Sequence, residues 1–477
     1  SFAGSPNVNP SVQGVDVDQT EATLTINVTA INDAPSQLGA VDTLAYTEND
    51  AATVIDSAID TPVDVDDTNL KSATVTISNN LVAGDALSGT YSSGANFTYG
   101  WSSPTLTITA AGGGKSLAEF DAALQSVTFV STSNDPTSAA RTLSWVLTDD
   151  DDASSAPRTS TVNVTPANDA PSQLGAVDTL AYTENDAATV IDSAIDTPVD
   201  DDDTNLKSAT VTISNNLVAG DALSGTYSSG ANFTYGWSSP TLTITAAGGG
   251  KSLAEFDAAL QSVTFVSTSE DPTSAARTLS WVLTDDDDAS SAARTSTVNV
   301  TPANDAPSQL GAVDTLAYTE NDAATVIDSA IDTPVDVDDT NLKSATVTIS
   351  NNLVAGDALS GTYSSGANFT YGWSSPTLTI TAAGGGKSLA EFDAALQSVT
   401  FVSTSNDPTS AARTLSWVLT DDDDASSAAR TSTVNVTPAN DAPSQLGAVD
   451  TLAYTENDAA TVIDSAIDTP VDDDDTN

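Results

Sequence analysis

Cysteine, methionine and histidine are absent from this 477-residue chain, and lysine and arginine together number only 12. Without cysteine there is no disulfide framework and no thiolate ligand, and without histidine there is no imidazole base and no ordinary zinc site. Basic residues are also scarce beside 66 acidic ones, which argues against nucleic acid as a partner, because its phosphates require Lys and Arg. An anionic membrane surface is disfavoured on the same ground. No stretch approaches the roughly 18 apolar residues of a membrane-spanning helix, so we expect no membrane insertion in this segment.

What the chain has instead is one unit copied almost without change. The string NDAPSQLGAVDTLAYTENDAATVIDSAIDTPVD begins at Asn32, Asn168, Asn304 and Asn440, a period of 136 residues. Such self-similarity is the signature of an array, and a unit of this length is within the size range of one folding domain. We therefore divide the chain into the end of a divergent preceding repeat (1–31), repeat 1 (32–167), repeat 2 (168–303), repeat 3 (304–439) and the incomplete start of repeat 4 (440–477).

Each repeat is predicted to be an all-β sandwich. Thr, Ser, Val and Ala alternate with period two in short runs, as in residues 72–77, 105–109 and 142–147. Alternation of this kind is typical of strands with one face on a core and one in water. Seven or eight short strands separated by Gly, Pro, Asn and Asp favour tandem Ig-like sandwiches. The remaining strand candidates are Thr43–Thr47, Ala52–Ile55, residues 126–129 and 161–164, and, in the preceding repeat, Ala22–Val28.

One short helix per repeat interrupts this pattern. Ser116 and Glu119 form a capping box, and apolar residues follow at helical spacing, which predicts a helix at about 116–125. Segment 79–104 is rich in Gly and Asn and is interpreted as a hairpin excursion. Its aromatic residues, among them Tyr99 and Trp101, are a candidate surface for a glycan or a protein. The predicted large core residues are Phe97, Trp101, Phe129 and Trp145.

Acidic residues occur in clusters that recur in every repeat. In repeat 1 they are Asn32-Asp33, residues 48–50, residues 64–67, Asn134-Asp135 and residues 149–152. Adjacent carboxylates repel one another, so such runs are either solvated or hold a hard cation. Oxygen ligands without His or Cys favour Ca²⁺, which takes six to eight oxygens, over Mg²⁺, which needs tighter octahedral geometry.

Four of these motifs resemble those of the cadherin-like repeats of large bacterial surface and secreted proteins. Asn32-Asp33-Ala34-Pro35 is similar to the acidic cadherin linker, and Glu48-Asn49 to the Glu-Asn of the first strand. Asp64-Val65-Asp66 is similar to the Asp-x-Asp motif, and Leu147-Thr148-Asp149 to the turn before the last strand. The motifs follow one another in the family's order in three intact copies.

The resemblance implies Ca²⁺ at each junction, bound by the linker pair, by the Glu of the preceding repeat and by three Asp of the following one. Carried over along the chain, the implied ligands are Glu48, Asp64, Asp66, Asp149, Asn168, Asp169, Glu184, Asp200, Asp202, Asp285, Asn304, Asp305, Glu320, Asp336, Asp338, Asp421, Asn440, Asp441, Asp472 and Asp474.

This chain departs from the family's pattern in its linker, Pro-Ala-Asn-Asp-Ala-Pro. It lacks the leading Asp and has Ala where the family has a second Asn. The family's Asp-Arg-Glu motif is also absent, and Asp135 is only a poor match for it. The resemblance therefore implies fewer ions per junction than in a full cadherin joint, or weaker binding.

Three functions fit an acidic array. The first is a structural extender of a calcium-stiffened extracellular adhesin or filament, located outside the cell or on a bacterial surface. The second is a self-assembling filament or surface-layer protein that completes sandwiches across molecules through Ala22–Val28 and the strands after Asn440. The third is a multivalent module that binds a glycan or a surface protein. No enzyme is expected, because the acids fall at predicted strand ends and turns rather than across a cleft.

Overall fold

Three copies of one β-sandwich, each with a single short α-helix, recur along the chain, so the predicted all-β tandem architecture is confirmed. The computed structural model describes residues 24–36, 39, 42–173, 175, 178–309, 311, 314–444, 447 and 451–474. The chain divides into two compact units, Ser1–Asp169 with one sandwich and Ala170–Asn477 with two.

Repeat 1 has ten strands, a 3-10 turn and one helix. They are β1 (Thr43–Thr47), β2 (Thr53–Val54), β3 (Asn69–Asn79), β4 (Asp85–Ser88), β5 (Phe97–Ser102), β6 (Thr105–Ala110), the 3-10 turn (Ala111–Gly113), β7 (Lys115–Ser116), α1 (Leu117–Leu124), β8 (Thr128–Ser131), β9 (Arg141–Asp149) and β10 (Arg158–Thr165).

The other two repeats have the same elements. Repeat 2 has β11 (Thr179–Thr183), β12 (Thr189–Val190), β13 (Asn205–Asn215), β14 (Asp221–Ser224), β15 (Phe233–Ser238), β16 (Thr241–Ala246), a 3-10 turn (Ala247–Gly249), β17 (Lys251–Ser252), α2 (Leu253–Gln261), β18 (Thr264–Ser267), β19 (Arg277–Asp285) and β20 (Arg294–Thr301). Repeat 3 has β21 (Thr315–Thr319), β22 (Thr325–Val326), β23 (Asn341–Asn351), β24 (Asp357–Ser360), β25 (Phe369–Ser374), β26 (Thr377–Ala382), a 3-10 turn (Ala383–Gly385), β27 (Lys387–Ser388), α3 (Leu389–Gln397), β28 (Thr400–Ser403), β29 (Arg413–Asp421) and β30 (Arg430–Thr437).

Each sandwich has one large and one small sheet. The large sheet has the order β1-β10-β9-β3-β6-β5, with β7 beside β3, and the small sheet has the order β2-β8-β4. The edge strand β1 runs parallel to β10, whereas the other pairs are antiparallel. Along β9 every second side chain is buried, as alternation predicts. The core between the sheets includes Trp145, whose indole N–H donates to Ser160 Oγ at 2.8 Å.

The helix lies where the sequence predicts it. Ser116 is its N-cap, and both hydrogen bonds of the capping box with Glu119 are formed. Phe120 and Leu124 are buried, and the ring of Phe120 meets that of Phe97 edge-on, with centroids 5.0 Å apart. The helix therefore contributes to the core rather than to an exposed surface.

Segment 79–104 is part of both sheets rather than an excursion from them. It contains β4, in the small sheet, and β5, at the edge of the large one. Phe97 is fully buried, and the Tyr99 hydroxyl donates to the carbonyl of Tyr91 at 2.9 Å. The Tyr99 ring also lies so close to Gly89 that a Cβ there would sit 2.1 Å from it. These aromatic side chains mostly support packing, and nothing in their arrangement favours the glycan-binding interpretation.

The incomplete repeats at either end differ from the sequence expectation. Residues 24–28, the described part of the predicted strand Ala22–Val28, are not a strand, and Leu24, Ile26 and Val28 are at least 75% exposed. Residues 22 and 23 lie outside the described residues. In repeat 4, residues 451–455 match β1 in sequence but are likewise not a strand. In a complete repeat that segment pairs with a β10-type strand, and here it has no such neighbour. Among the described helices none is long and apolar enough to cross a bilayer.

Candidate metal centre

At the head of repeat 3, three carboxylates converge where the loop after the second strand of the repeat meets the end of its ninth strand. In repeat 3, carboxylate oxygens of Asp336, Asp339 and Asp421 lie within 4.8 Å of one another. Asp421 ends β29 and is fully buried, and its Oδ1 accepts the amides of Asp423 and Ala425 at 3.0 and 2.8 Å. The backbone of this turn therefore fixes one carboxylate in place and directs its other oxygen toward the linker.

At the heads of repeats 1 and 2 the three grouped acids all come from the loop after the second strand. The corresponding groups within 4.8 Å are Asp64, Asp66 and Asp67 in repeat 1, and Asp200, Asp202 and Asp203 in repeat 2. Asp149 and Asp285 end β9 and β19, are fully buried and accept the same two turn amides as Asp421.

The linker between repeats 2 and 3 is held by carboxylates from both sides. The amide of Ala303 donates to Glu184 Oε2 of repeat 2 at 2.8 Å. The next two residues bond to repeat 3: Asn304 Nδ2 donates to Asp421 Oδ2 at 3.1 Å, and the amide of Asp305 donates to Asp338 Oδ2 at 2.6 Å. Three consecutive residues thus connect the tail of one sandwich to the head of the next.

A second acidic group lies at the tails of repeats 2 and 3. In repeat 2 it consists of Glu184, Glu270 and Asp305, with carboxylate oxygens within 4.8 Å of one another. Glu184 is only 4% exposed, and its Oε1 has no hydrogen-bond partner. In repeat 3 the group is Glu320, Asp441 and Asp474, and Glu320 Oε1 is buried and unpartnered in the same way.

Burial and mutual repulsion raise the pKa of several of these acids. The pKa of Asp339 is raised to about 6, first by burial and then by the charges of Asp422 and Asp336. The pKa of Asp203 is raised to about 6 for the same reasons. Burial also raises the pKa of Glu184, against the effect of its bond from Ala303. In the metal-free fold, ionising these carboxylates at neutral pH therefore costs free energy.

The residues fit a hard cation. Nine ion pairs join Lys or Arg to Asp in the described residues, and none of them includes Asp336, Asp339 or Asp421. Asp336 Oδ2 and Asp339 Oδ2 are buried without a hydrogen-bond partner. A buried, unpaired carboxylate is costly unless a cation or a donor meets it. Because all the available ligands are oxygen atoms, Ca²⁺ suits this set better than a transition metal.

The remaining predicted ligands lie in or beside the linkers. Glu48 follows β1 and accepts the amide of Ala167 at 2.8 Å, just before Asn168 and Asp169. Asn440 Nδ2 donates to the carbonyl of Asp441 at 2.9 Å. The amide of Asp441 donates to Asp474, whose own amide donates to Asp472 Oδ1 at 3.2 Å.

Four members of these groups were not among the sequence-based candidates: Asp67, Asp203, Asp339 and Glu270. The three Asp residues lie in the same acidic runs as predicted ligands, so adjacency alone could have suggested them. Glu270 is one of the few positions at which repeats 1 and 2 differ, the others being Val65/Asp201 and Pro157/Ala293. That difference was visible in the sequence, but only the fold shows that Glu270 lies beside Glu184 and Asp305.

No family model and no curated protein match the chain. Among solved structures it is similar to the protocadherin gammaB4 extracellular domain, with 16% identity over 88% of this chain and 52% of that one, at a TM-score of 0.33. It is also similar to the protocadherin gammaB7 EC3-6 cis-dimer, with 15% identity, 92% and 84% coverage and a TM-score of 0.33. For Drosophila N-cadherin EC1-4 the identity is 12%, the match covers 85% of this chain and 76% of that one, and the TM-score is 0.24.

These similar structures are cadherin ectodomains, and the chain spans about half the length of the first of them. At such identities and TM-scores they carry no argument about function. The description of each repeat as a sandwich rests on its own sheet order and register.

Proposed function

We propose that the chain is an extender segment of an extracellular adhesin or filament, on a cell surface such as that of a bacterium, and that Ca²⁺ at the junctions stiffens it. The observation that carries this proposal is the buried, unpartnered Oε1 of Glu184 and of Glu320, each at the tail of a repeat and within 4.8 Å of other carboxylates. A fold that buries an unpaired carboxylate oxygen at each such joint implies a partner that arrives from solvent.

The chain's own residues explain how stiffening would work. When bound, Ca²⁺ supplies positive charge and positions for six to eight oxygens. Glu184 reaches the linker from repeat 2, while Asp338 and Asp421 reach it from repeat 3. Without a cation, like charges at the joint oppose close packing, whereas shared coordination would join the two sandwiches through the linker. Binding to the folded state would also raise stability by mass action.

Small-angle scattering of the whole chain tests this proposal. Saturating Ca²⁺ should give the profile of a rigid particle, and removal of the metal should increase flexibility. The variant Glu184→Gln plus Glu320→Gln should lose most of this response. Glu456→Gln is the matched control, because Glu456 occupies the same motif position in repeat 4 but is exposed. If the native profile is the same with and without Ca²⁺, the proposal is wrong.

A further inference from the structure

Two positions in the array change together from one junction to the next. The first, at the tail of a repeat, is Asn134, Glu270 or Asn406, and the second, in the head of the next repeat, is Asp201, Val337 or Asp473. In each case the two positions are 67 residues apart. Asn at the first position is therefore always combined with Asp at the second, and Glu with Val.

At the junction of repeats 3 and 4, Asn406 is held by its counterpart. Its Nδ2 donates to Asp473 Oδ2 at 3.0 Å. The nearby carboxylate group consists of Glu320, Asp441 and Asp474, with no acid from position 406. An amide and a carboxylate here form a neutral–anionic hydrogen bond, so Asp473 is engaged outside the group.

At the junction of repeats 2 and 3, Glu270 takes another role. Its carboxylate comes within 4.8 Å of those of Glu184 and Asp305. Val337 offers it no hydrogen bond and adds no further negative charge. Val337 is 57% exposed, whereas Val65, at the same position in repeat 1, is 88% exposed. The apolar residue thus leaves Glu270 available to the group.

The group that Glu270 joins includes a side chain that requires a partner. Glu184 is only 4% exposed, its Oε1 is buried without a hydrogen-bond partner, and its carboxylate lies within 4.8 Å of the other two. Asp338, the counterpart of Asp474, also acts electrostatically on Glu184 and accepts the amide of Asp305. This junction therefore has the same three acids as the next one and Glu270 in addition, and this fourth carboxylate increases repulsion in the metal-free state. It increases attraction for a divalent cation, because affinity at oxygen sites rises with the ligand charge.

We propose that the array alternates two kinds of junction, and that the Glu270–Val337 junction binds a divalent cation more tightly than the Asn406–Asp473 junction because Glu270 is an additional ligand. This inference rests on the proposed calcium function and refines it. In the sequence, Asn134 and Asp201 repeat the residue types of the weaker kind, so the pattern alternates along the array.

Calorimetric titration of the whole chain with CaCl₂ tests the inference through exchanges that the chain itself supplies. The native chain should show one tight site class and a weaker one, with dissociation constants about tenfold apart or more. Glu270→Asn plus Val337→Asp, which converts the second junction to the other kind, should abolish the tight class. Asn406→Glu plus Asp473→Val should add one tight site. Both exchanges place residues that already occur at the same positions in folded repeats.

The outcomes separate this inference from the function on which it rests. If the native chain binds Ca²⁺ but Glu270→Asn plus Val337→Asp leaves every affinity unchanged, the two-junction inference is overturned and the calcium proposal stands. If the native chain binds no Ca²⁺ at all, both are overturned. In the native chain, Glu184→Gln should weaken the tight class if the group is the site.

Discussion

Each repeat contains buried carboxylates of two kinds, and they are neutralised differently. In the core, Asp221 lies against the fully buried Arg277, with Oδ2 3.1 Å from Nε. At the ends, Asp339 and Glu184 also have buried oxygens without a hydrogen-bond partner, but neither residue is among the ion pairs of the described residues. All six arginines of the chain form ion pairs of the first kind, with Asp85, Asp56 and their copies. The fold thus supplies permanent cations inside the sandwich and, within the described part of the chain, pairs no Lys or Arg with Asp339 or Glu184, which is why we propose an exchangeable cation at the junctions.

Removing a core arginine should have the largest effect. Arg277→Met leaves Asp221 buried without its counter-charge, and breaking such a pair typically costs about 3–5 kcal/mol. In a calorimetric scan of the whole chain, the unfolding transition of repeat 2 should move well below those of repeats 1 and 3, equally with and without Ca²⁺.

The double variant Arg277→Met plus Asp221→Leu is the control for that experiment. It should recover much of the loss, because apolar residues of similar volume often replace a buried pair without cost. A loss that depends on Ca²⁺ would contradict the distinction between core and end carboxylates.

Neutralising one junction acid should stabilise the metal-free protein and destabilise the protein in excess Ca²⁺. In metal-free protein Asp339→Asn removes a repelling charge and should stabilise repeat 3 by roughly 1 kcal/mol. In excess Ca²⁺ it removes a ligand, so part of the stabilisation by binding, about 2.7 kcal/mol at a hundredfold excess over the dissociation constant, should be lost.

Thermal unfolding in the two conditions measures this reversal. The matched control is Asp332→Asn, since Asp332 is exposed and does not belong to the acidic group. Stabilisation by Asp339→Asn in both conditions would show that the head acids do not bind the cation.

The pH dependence of the free energy of unfolding follows from the pKa values of Asp203 and Asp339, each raised to about 6. Between pH 4 and 6 the folded chain holds protons that the unfolded chain, with ordinary carboxyl pKa values, has already released. The free energy of unfolding of metal-free protein should therefore fall as pH rises from about 4 to above 6, and then level off.

Metal-free samples scanned at several pH values give that curve. Asp203→Asn plus Asp339→Asn should flatten it. Saturating Ca²⁺ should raise the curve mainly above pH 6, where the carboxylates are ionised and available. A curve that rises between pH 4 and 6 would show that the junction acids are stabilised as anions in the metal-free fold.

Sequence periodicity predicts most of the long strands and misses strands whose flanks are rich in Gly and Asn. The bounds of β1 agree with the predicted Thr43–Thr47, and α1 lies within the predicted 116–125, because alternation and the capping box are local signals. Strands β4 and β5 were missed, since Gly and Asn dominate their flanks. In β5 every second residue faces inward, with Phe97 buried and Tyr99 and Trp101 partly covered, so the alternation was present in the sequence but was obscured by these flanks.

The candidate site shows the same limit. Residue types and family order place Glu184, Asp305 and Asp338 at one junction, and the structure brings them together. Whether they hold calcium stays a prediction. The role of Glu270 depends on two segments 86 residues apart that meet only through the fold, so no local pattern could reveal it.

Monovalent salt should have the smallest effect on the melting temperature. Its effect distinguishes a charged surface from a specific cation-binding site. Raising KCl from 0.1 to 1 M shortens the Debye length from about 10 to 3 Å, which screens the partly exposed junction acids but hardly the buried Asp221–Arg277 pair. Metal-free protein should gain a few degrees in melting temperature, and Asp339→Asn should gain less. NaCl should act as KCl does, because screening depends on ionic strength alone. Ca²⁺ should act at concentrations too low to screen anything; if instead it raises the melting temperature only at the ionic strength at which KCl does, the acids form a charged surface and not a binding site.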